Sequence, residues 1–399
     1  MYMIEIFLAI LIGCIIGLFT GLTPGVHINL IATISFSLSG IILNVFPVHF
    51  VVIALISMAI VHTFLDIIPT AFLGLPSEDS IVEALPAHKL TMEGKAKEVI
   101  MVSALGALGG LIIIIALSPF ILKYVKYFYD IINPFIAYIL IWVSFMIIYF
   151  SKNKLFSFFI FILSGFFGFI VLNTKVLNQP LLPLLSGLFG VSSLLLSINF
   201  KTIIPKQIKK VEVKIGELNF FRNLSSGVIS CLLTSFLPGL TSSHTTIIAG
   251  FITKVKTSID YLIINGCIGT VSMFVSLIAL YSLGKSRNGV IIAISNFSSI
   301  NQQLLWILIF STLISSFVAL FLLFKFSDLM INIMEMVSYK FLCIAIITFV
   351  TLLVLILSGW LGIVVLISST AIGIIPQITN VERLHLMGVL LIPVIIFLI

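Results

Sequence analysis

Charged side chains are scarce in this chain of 399 residues, because Asp, Glu, Lys and Arg together make up only 9% of it. A soluble domain has about a quarter. Hydrophobic residues supply 60%, and the mean hydropathy is +1.31. Apolar runs of ~20 residues, the length that a helix needs to cross the hydrocarbon of a bilayer, recur along the whole chain. The shortage of charge excludes a soluble domain and predicts a multi-pass protein of the cell membrane, surrounded by the lipid bilayer.

The motifs of nucleotide-driven pumps and of common hydrolases are also missing. The sequence has no G-x-G-x-x-G after a strand, no P-loop, no HExxH and no serine nucleophile elbow. We therefore expect a protein that is not an enzyme and that needs no cofactor. The cysteines have neither metal-ligand nor disulfide spacing, so we expect no metal site; they are Cys14, Cys231, Cys267 and Cys343.

The net charge of +7 does not indicate a nucleic-acid partner. Much of the excess lies between Lys201 and Arg222, where the positive-inside rule favours cytoplasmic anchoring. This basic linker, residues 199–223, separates a first transmembrane repeat at 1–198 from a second at 224–399.

Hydropathy predicts an all-α polytopic membrane protein with about 10 to 14 membrane helices. The predicted spans of the first repeat are roughly 3–22, 26–43, 46–72, 99–122, 132–150, 155–172 and 181–198. Those of the second are about 224–237, 240–253, 258–283, 303–325, 338–357, 359–375 and 384–398. With the linker in the cytoplasm, the N-terminus lies outside and the first repeat crosses an odd number of times. The two repeats are then inverted, as in many secondary transporters. A re-entrant segment in place of one span would make them parallel, and that alternative stays open.

Two polar, helix-breaking stretches interrupt the apolar sequence at matched positions. Pro24 and Gly25 recur as Pro238 and Gly239, at an offset of 214. Proline and glycine end a helix, and hydrocarbon does not satisfy the backbone groups that are freed. Such backbone persists where it is buried in protein or lines a wet cavity, and the start of the next helix suits an anion. The polar residues beside the breaks are Thr23, His27, Asn29, Ser242, Ser243 and His244. The alternatives are exposed carbonyls that coordinate Na⁺, or a plain proline kink.

A second candidate site is the pair His62 and Asp66, which share one helix face at a spacing of i, i+4. A carboxylate inside a span is costly and normally has a partner. The pair is therefore a candidate for coupling to H⁺ or Na⁺, as a proton relay or a cation ligand. A position at the end of the helix, facing water, is the other interpretation.

The stretches Gly21-Leu22-Thr23-Pro24-Gly25, Phe72-Leu73-Gly74-Leu75-Pro76 and Ala84 to Ala96 resemble the large permease subunit of the tripartite tricarboxylate transporters, in its short archaeal form. The second Pro-Gly, at 238–239, matches the repeat of that family. Pro86-Ala87-His88 departs from the Asp-Gly-Tyr type of turn found in the larger bacterial members.

The resemblance implies a permease that moves carboxylates with an ion gradient. It also implies a small membrane subunit and an extracytoplasmic binding protein as partners. Pro24, Gly25, Pro238 and Gly239 would frame the substrate site, and the polar residues named above would contact a small organic anion.

Two rival functions stay open. A translocase of polyprenyl or other lipid-linked phosphate would use the same architecture, because a helix N-terminus suits phosphate as well as carboxylate. An intramembrane enzyme would need His27, His62 and Asp66 within hydrogen-bond reach of one another.

Overall fold

The computed structural model describes residues 2–23, 28–74, 81–174, 176–199, 205–208, 216–235, 237, 240–253, 255, 257–285 and 288–399. These residues form helices and connecting turns, with no strand among them. The helices are α1 Tyr2–Leu22, α2 Ile28–Ser37, α3 Ser39–Val45, α4 Val48–Leu65, α5 Ile67–Leu73, α6 Ile81–Met92, α7 Ala96–Ile132, α8 Ile136–Tyr149, α9 Lys154–Asn173, α10 Leu181–Leu185, α11 Ser192–Asn199, α12 Glu217–Thr234, α13 Ser242–Thr253, α14 Ser258–Leu283, α15 Gly289–Phe297, α16 Gln302–Met336, α17 Tyr339–Ile378 and α18 Gly388–Leu398.

Within the described ranges, eight helical stretches are long and apolar enough to cross a membrane. They are Met3–Leu22, Val48–Leu73, Ala96–Tyr149, Lys154–Asn173, Leu181–Ile198, Ser258–Leu283, Gln302–Met334 and Tyr339–Ile378. Helices satisfy their own backbone groups, which is what a bilayer requires of a spanning segment. The predicted class, an all-α polytopic membrane protein, is confirmed.

The observed stretches differ from the predicted spans in several places. Predicted spans 99–122 and 132–150 merge, because α7 runs to Ile132 and continues through a 3-10 turn into α8. Predicted spans 338–357 and 359–375 merge into α17, which is kinked at Gly359. Predicted span 26–43 is divided at Leu38 into the short helices α2 and α3. Predicted spans 224–237, 240–253 and 384–398 are not among the eight stretches.

Helices α1 and α4 run parallel and touch through glycines of α1. A Cβ on Gly13 would lie 2.3 Å from Ala54 O, and one on Gly21 would lie 2.8 Å from Leu65 Cβ. Gly17, one turn from each, meets α4 in the same way. Small residues let membrane helices approach closely. The chain therefore crosses back through α2 and α3 between these two helices.

Helices α12 and α14 of the second half form a parallel pair of the same kind. Asn223 Nδ2 donates to Asp260 Oδ1 at 2.6 Å, near the start of both helices. Further along, the Cys231 thiol lies 3.9 Å from Ile268 O. Both contacts have a separation of 37 residues, so the helices advance together.

Each half also lends one long helix to the other half. Helix α7 packs on α14, where a Cβ on Gly106 would lie only 2.2 Å from Ile263 O. Helix α16 packs on α4 and α1, with the rings of Phe7 and Phe310 in an edge contact at 6.5 Å. This exchange makes the two halves one packed unit.

The long helices α7 and α16 have opposite ends on the same face of the molecule. Lys97 at the start of α7 pairs with Asp328 near the end of α16 at 2.5 Å. At the other end of α7, Lys285 Nζ lies 4.5 Å from the centre of the Tyr129 ring. The start of α7 therefore shares its face of the molecule with the end of α16.

Part of the basic linker is fastened to the first half. Gln207 is 4% exposed, and its Oε1 accepts from the Ala96 amide at 3.0 Å while its Nε2 donates to Thr91 O at 3.1 Å. One amide side chain thus satisfies the end of α6 and the start of α7, where helices leave backbone groups unpaired. The Ile208 amide adds a bond to Gly94 O at 2.8 Å.

Candidate functional site

The two predicted breaks coincide with gaps between helices. Helix α1 ends at Leu22 and α2 begins at Ile28, and α12 ends at Thr234 and α13 begins at Ser242. Five of the predicted site residues lie outside the described residues, namely Pro24, Gly25, His27, Pro238 and Gly239. Asn29 lies in the first turn of α2, and its side chain is also outside the description.

The hydroxyls of Thr20 and Thr23 bond to carbonyl groups in the last turns of α1, just before the first break. The Thr23 hydroxyl donates to Phe19 O at 2.6 Å and so satisfies a carbonyl of the last turn. The Thr20 hydroxyl is 3.2 Å from Gly17 O and 3.1 Å from His62 Nδ1. With its proton on Gly17 O, the Thr20 oxygen accepts from the His62 Nδ1–H. The end of α1 is thereby tied to an ionisable ring of α4.

His62 lies near the middle of its span rather than at its end. It comes 14 residues after Val48 and 11 before Leu73, the two limits of that span. At 1.5 Å per residue, about 16 Å of helix follow it. The ring is 6% exposed. The first break, beside Thr20, therefore lies at mid-depth of the third span.

Asp66 follows one turn later, at the junction of α4 and α5. Its amide still donates to His62 O at 3.0 Å, so the two residues stay on neighbouring turns of one continuous stretch. Asp66 is half-buried.

Polar side chains hold the second break together. Thr234 Oγ1, at the end of α12, lies 2.7 Å from Thr245 Oγ1 on α13, and Thr245 Oγ1 donates to Thr241 O at 3.2 Å. Nδ1 of His244 accepts from the Thr241 amide at 3.2 Å, which leaves the proton of the neutral ring on Nε2. His244 is 1% exposed. The start of α13 is therefore fixed by its own first turn and by α12.

Ser242 and Ser243, both predicted site residues, form the first turn of α13 and are buried. Ser242 O accepts from the Thr246 hydroxyl at 2.8 Å. Thr246 Oγ1 also lies 2.8 Å from Asn265 Oδ1, which connects this turn to α14.

The two breaks lie at a shared depth, where α4 and α14 touch. A Cβ on Gly269 of α14 would lie 2.9 Å from the Thr63 methyl group, and Thr63 follows His62 directly. Gly269 is in turn next to Ile268, which contacts Cys231 just before the second break. Among the described residues, His62 at the first break and Cys231 near the second are therefore connected through this one contact between α4 and α14.

Three residues of this arrangement are visible in the sequence. Thr20 and Thr234 recur at the same offset of 214 as the prolines, and Thr245 is one of the polar residues after the second break. Sequence reasoning missed Asn265, which is found only through its contact with Thr246 between helices.

His88, at the departure from the family motif, contacts the end of the third span. Its Nδ1 lies 3.0 Å from Ala71 O, and its ring fills the space beside Gly74, whose φ of +63° favours glycine. Tyr339 of α17 donates to Leu73 O at 2.9 Å and stacks near His88. Burial lowers the pKa of His88 from its ordinary value, against the opposing effect of the bond to Ala71 O.

These features define a multi-pass helical membrane protein. The chain belongs to the tripartite tricarboxylate transporter TctA family, whose model matches residues 7–388. It is 32% identical, over 403 aligned residues and 98% of each chain, to Uncharacterized protein MJ1079 of Methanocaldococcus jannaschii. No solved structure matches the chain. The protein is a component of a tricarboxylate transporter system.

Proposed function

We propose that this protein is an ion-gradient-driven permease for organic anions such as di- and tricarboxylates, with the substrate held between the two Pro-Gly-interrupted helices. The observation that carries the proposal is the common depth of the two breaks. Each break follows the first helix of a parallel pair, α1 with α4 and α12 with α14, and both pairs meet at Thr63 and Gly269. Interrupted helices at mid-depth are how many secondary transporters bind substrate.

The proposal includes two inverted repeats. In parallel repeats the equivalent helices α7 and α16 would have like ends on one face. The contact between Lys97 and Asp328 instead joins the start of one to the end of the other. Tyr339, just after α16, bonds Leu73 at the end of α5, which is consistent with the same arrangement.

The chemistry of the described side chains favours an anion that must also be released. The hydroxyls and imidazoles at the breaks are uncharged donors, and α13 directs the amides of its first turn toward the second break. Thr241 to Thr246 and Thr20 to Thr23 contain no Lys or Arg. Neutral donors hold a carboxylate without the strength of a buried ion pair.

In this proposal, His62 and Asp66 are the residues that take up the coupling ion. Both lie on one stretch beside the first break, and His62 is bonded to the helix that ends there. Protonation of the ring, or Na⁺ at the carboxylate, would change the charge next to the substrate. The family description further supports a small membrane subunit and an extracytoplasmic binding protein as partners in the cell membrane.

The test is uptake into proteoliposomes of radiolabelled citrate, succinate and a polyprenyl phosphate, with imposed Na⁺ or H⁺ gradients. We expect gradient-dependent uptake of a carboxylate. Exchange of polyprenyl phosphate alone would favour the lipid-phosphate translocase, and uptake that persists without a gradient would remove ion coupling.

The site itself is tested by replacing Pro24 and Gly25 together with alanine, which restores helix propensity across the break. Uptake should be lost while membrane insertion is retained, and undiminished uptake would remove the site assignment. Gly40→Ala is the matched control, because a Cβ added to that exposed helical glycine would meet no neighbouring atom within 4 Å.

A further inference from the structure

Three buried hydroxyls, one on α4 of the first half and two on α16 of the second half, are turned away from the acceptors that membrane helices normally offer. They are Ser57 on α4 and Thr312 and Ser315 on α16, here called the hydroxyl cluster, and each is at most 1% exposed. Among the described residues, none of their oxygens has a nitrogen or oxygen partner.

Their neighbours on the same helix behave differently. Ser311 donates to Ile307 O at 2.8 Å, and Ser316 donates to Leu313 O at 2.7 Å. Thr312 and Ser315 could form the same local bonds but do not, and their spacing of three puts them on one face. A hydroxyl buried without a partner costs about 1–3 kcal/mol, so a group outside the protein chain is needed to satisfy the cluster.

The cluster lies at one level of α1. A Cβ on Gly13 would lie 2.7 Å from Ser57 Cβ, and the thiol of Cys14 interacts with Ser315. A thiol is only a weak hydrogen-bonding partner. This junction of α1, α4 and α16 is therefore polar, buried and short of partners, which is the setting in which proteins hold ordered water.

Ionisable groups lie beyond the cluster in both directions along α1. Toward the N-terminus, His49 Nε2 is 3.3 Å from Glu5 Oε2, and both side chains are partly exposed. Toward the break is the bond between Thr20 and His62. From Glu5 to Thr20 the helix advances about 22 Å. Between residues 302 and 324, α16 has no titratable side chain.

We propose that the hydroxyl cluster holds a file of water that carries protons between the Glu5–His49 pair and His62. Each proton passes from water to water, no hydroxyl changes its net protonation, and the last acceptor is the imidazole of His62. The gap from Ser57 to His62 is about 7–8 Å along α4, which roughly two waters bridge. The water lies on the side of α4 that faces α16, because α1 and α4 are in close contact at Gly17 and leave no space between them there. The inference rests on the proposed function and makes H⁺ the coupling ion.

Water at the cluster is tested without transport, by infrared detection of S–H to S–D exchange in D₂O. Cys14 reports the hydroxyl cluster, and Cys267, packed against Gly110 and Gly227 with its thiol 3.7 Å from Leu224 O, is the buried reference thiol. Variants C14A and C267A assign the two bands. We expect Cys14 to exchange at least tenfold faster, and equal rates would overturn the proposal.

Proton movement is tested in proteoliposomes that contain a pH-sensitive dye, with succinate and citrate as substrates. Thr312→Val combined with Ser315→Ala should slow substrate-driven proton entry at least tenfold. Ser311→Ala combined with Ser316→Ala, whose hydroxyls bond their own helix, should not. Proton entry in the first variant at the wild-type rate, or Na⁺-driven uptake without proton entry, would overturn the path. Absence of any carboxylate uptake by the wild type would instead remove the proposed function, and the thiol exchange would still decide whether the junction is wet.

Discussion

The two junctions at which the halves exchange their long helices differ in chemistry although they share a geometry. Thr312 and Ser315 lie 10 and 13 residues after the start of α16, and Gly106 and Gly109 lie 10 and 13 residues after the start of α7. Where α16 directs hydroxyls toward α1 and α4, α7 brings its backbone into contact with α14 and Leu224. The comparison teaches that a repeated frame need not have repeated functions. We assign coupling to the first junction and rigidity to the second.

The largest effect is expected at the second junction. Gly106→Leu would push a side chain into the carbonyl of Ile263, and neither backbone can yield without separating α7 from α14. Overpacking of a tight core typically costs about 1–3 kcal/mol, and a clash with backbone on both sides belongs at the upper end of that range. We expect loss of the monodisperse peak in size-exclusion chromatography.

Replacing a helical glycine also changes the backbone entropy of the helix. Gly40→Leu controls for that change, because a side chain at residue 40 would extend into open space. If Gly106→Leu were as stable as Gly40→Leu in thermal unfolding, the second junction would not be the rigid one.

A smaller effect should separate two threonines, Thr270 at the second junction and Thr312 at the first. The Thr270 hydroxyl donates to Ala107 O across the second junction at 2.8 Å, so Thr270→Val should destabilise the protein by about 0.5–1.5 kcal/mol. Thr312→Val removes a hydroxyl without a protein partner and should be neutral or slightly stabilising. Thermal unfolding of both variants in one detergent measures the difference, and a larger loss for Thr312→Val would contradict the comparison.

The ends of the stretches Val48–Leu73 and Ser258–Leu283 should differ in how their stability depends on pH. Gly74 is covered by His88, whereas a Cβ added to Gly284 in the second half would meet no neighbouring atom within 4 Å. Because burial lowers the pKa of His88, the unfolded chain takes up a proton at this residue before the folded protein does. Stability from this group is therefore present above its ordinary pKa of 6.5 and declines as the pH falls below it.

His88→Gln should remove that part of the pH dependence. We expect the Tm of the wild type to fall more steeply than that of the variant between neutral pH and about pH 5. Parallel Tm curves would show that His88 is not protected from protonation in the folded protein.

The smallest effect is expected where helix ends meet at the surface. Asp328→Asn breaks the pair with Lys97, but Asp328 is 56% exposed, so the loss should be below about 1 kcal/mol. It should shrink further in high salt, which screens exposed charges. A loss that does not change with salt would mean that the contact acts through packing.

Hydropathy was sufficient for the fold class and most spans, because length and apolar character are local properties. The family followed from short Gly-Pro motifs, and it is confirmed. The pairing of Thr20 with His62 was not predictable, because the two residues are 42 positions apart and meet only through the parallel packing of α1 on α4. The sequence shows four hydroxyls in residues 311–316, but which of them bond the backbone depends on rotamers.

The bond network of Gln207 has a consequence for how the protein is made. Ala96 at the start of α7 is synthesised 111 residues before Gln207, so the start of α7 lacks its side-chain acceptor during that interval. Synthesis of the connecting segment then completes an earlier part of the molecule. A chain truncated before Pro205 would carry every helix of the first half and still lack the residue that joins α6 to α7.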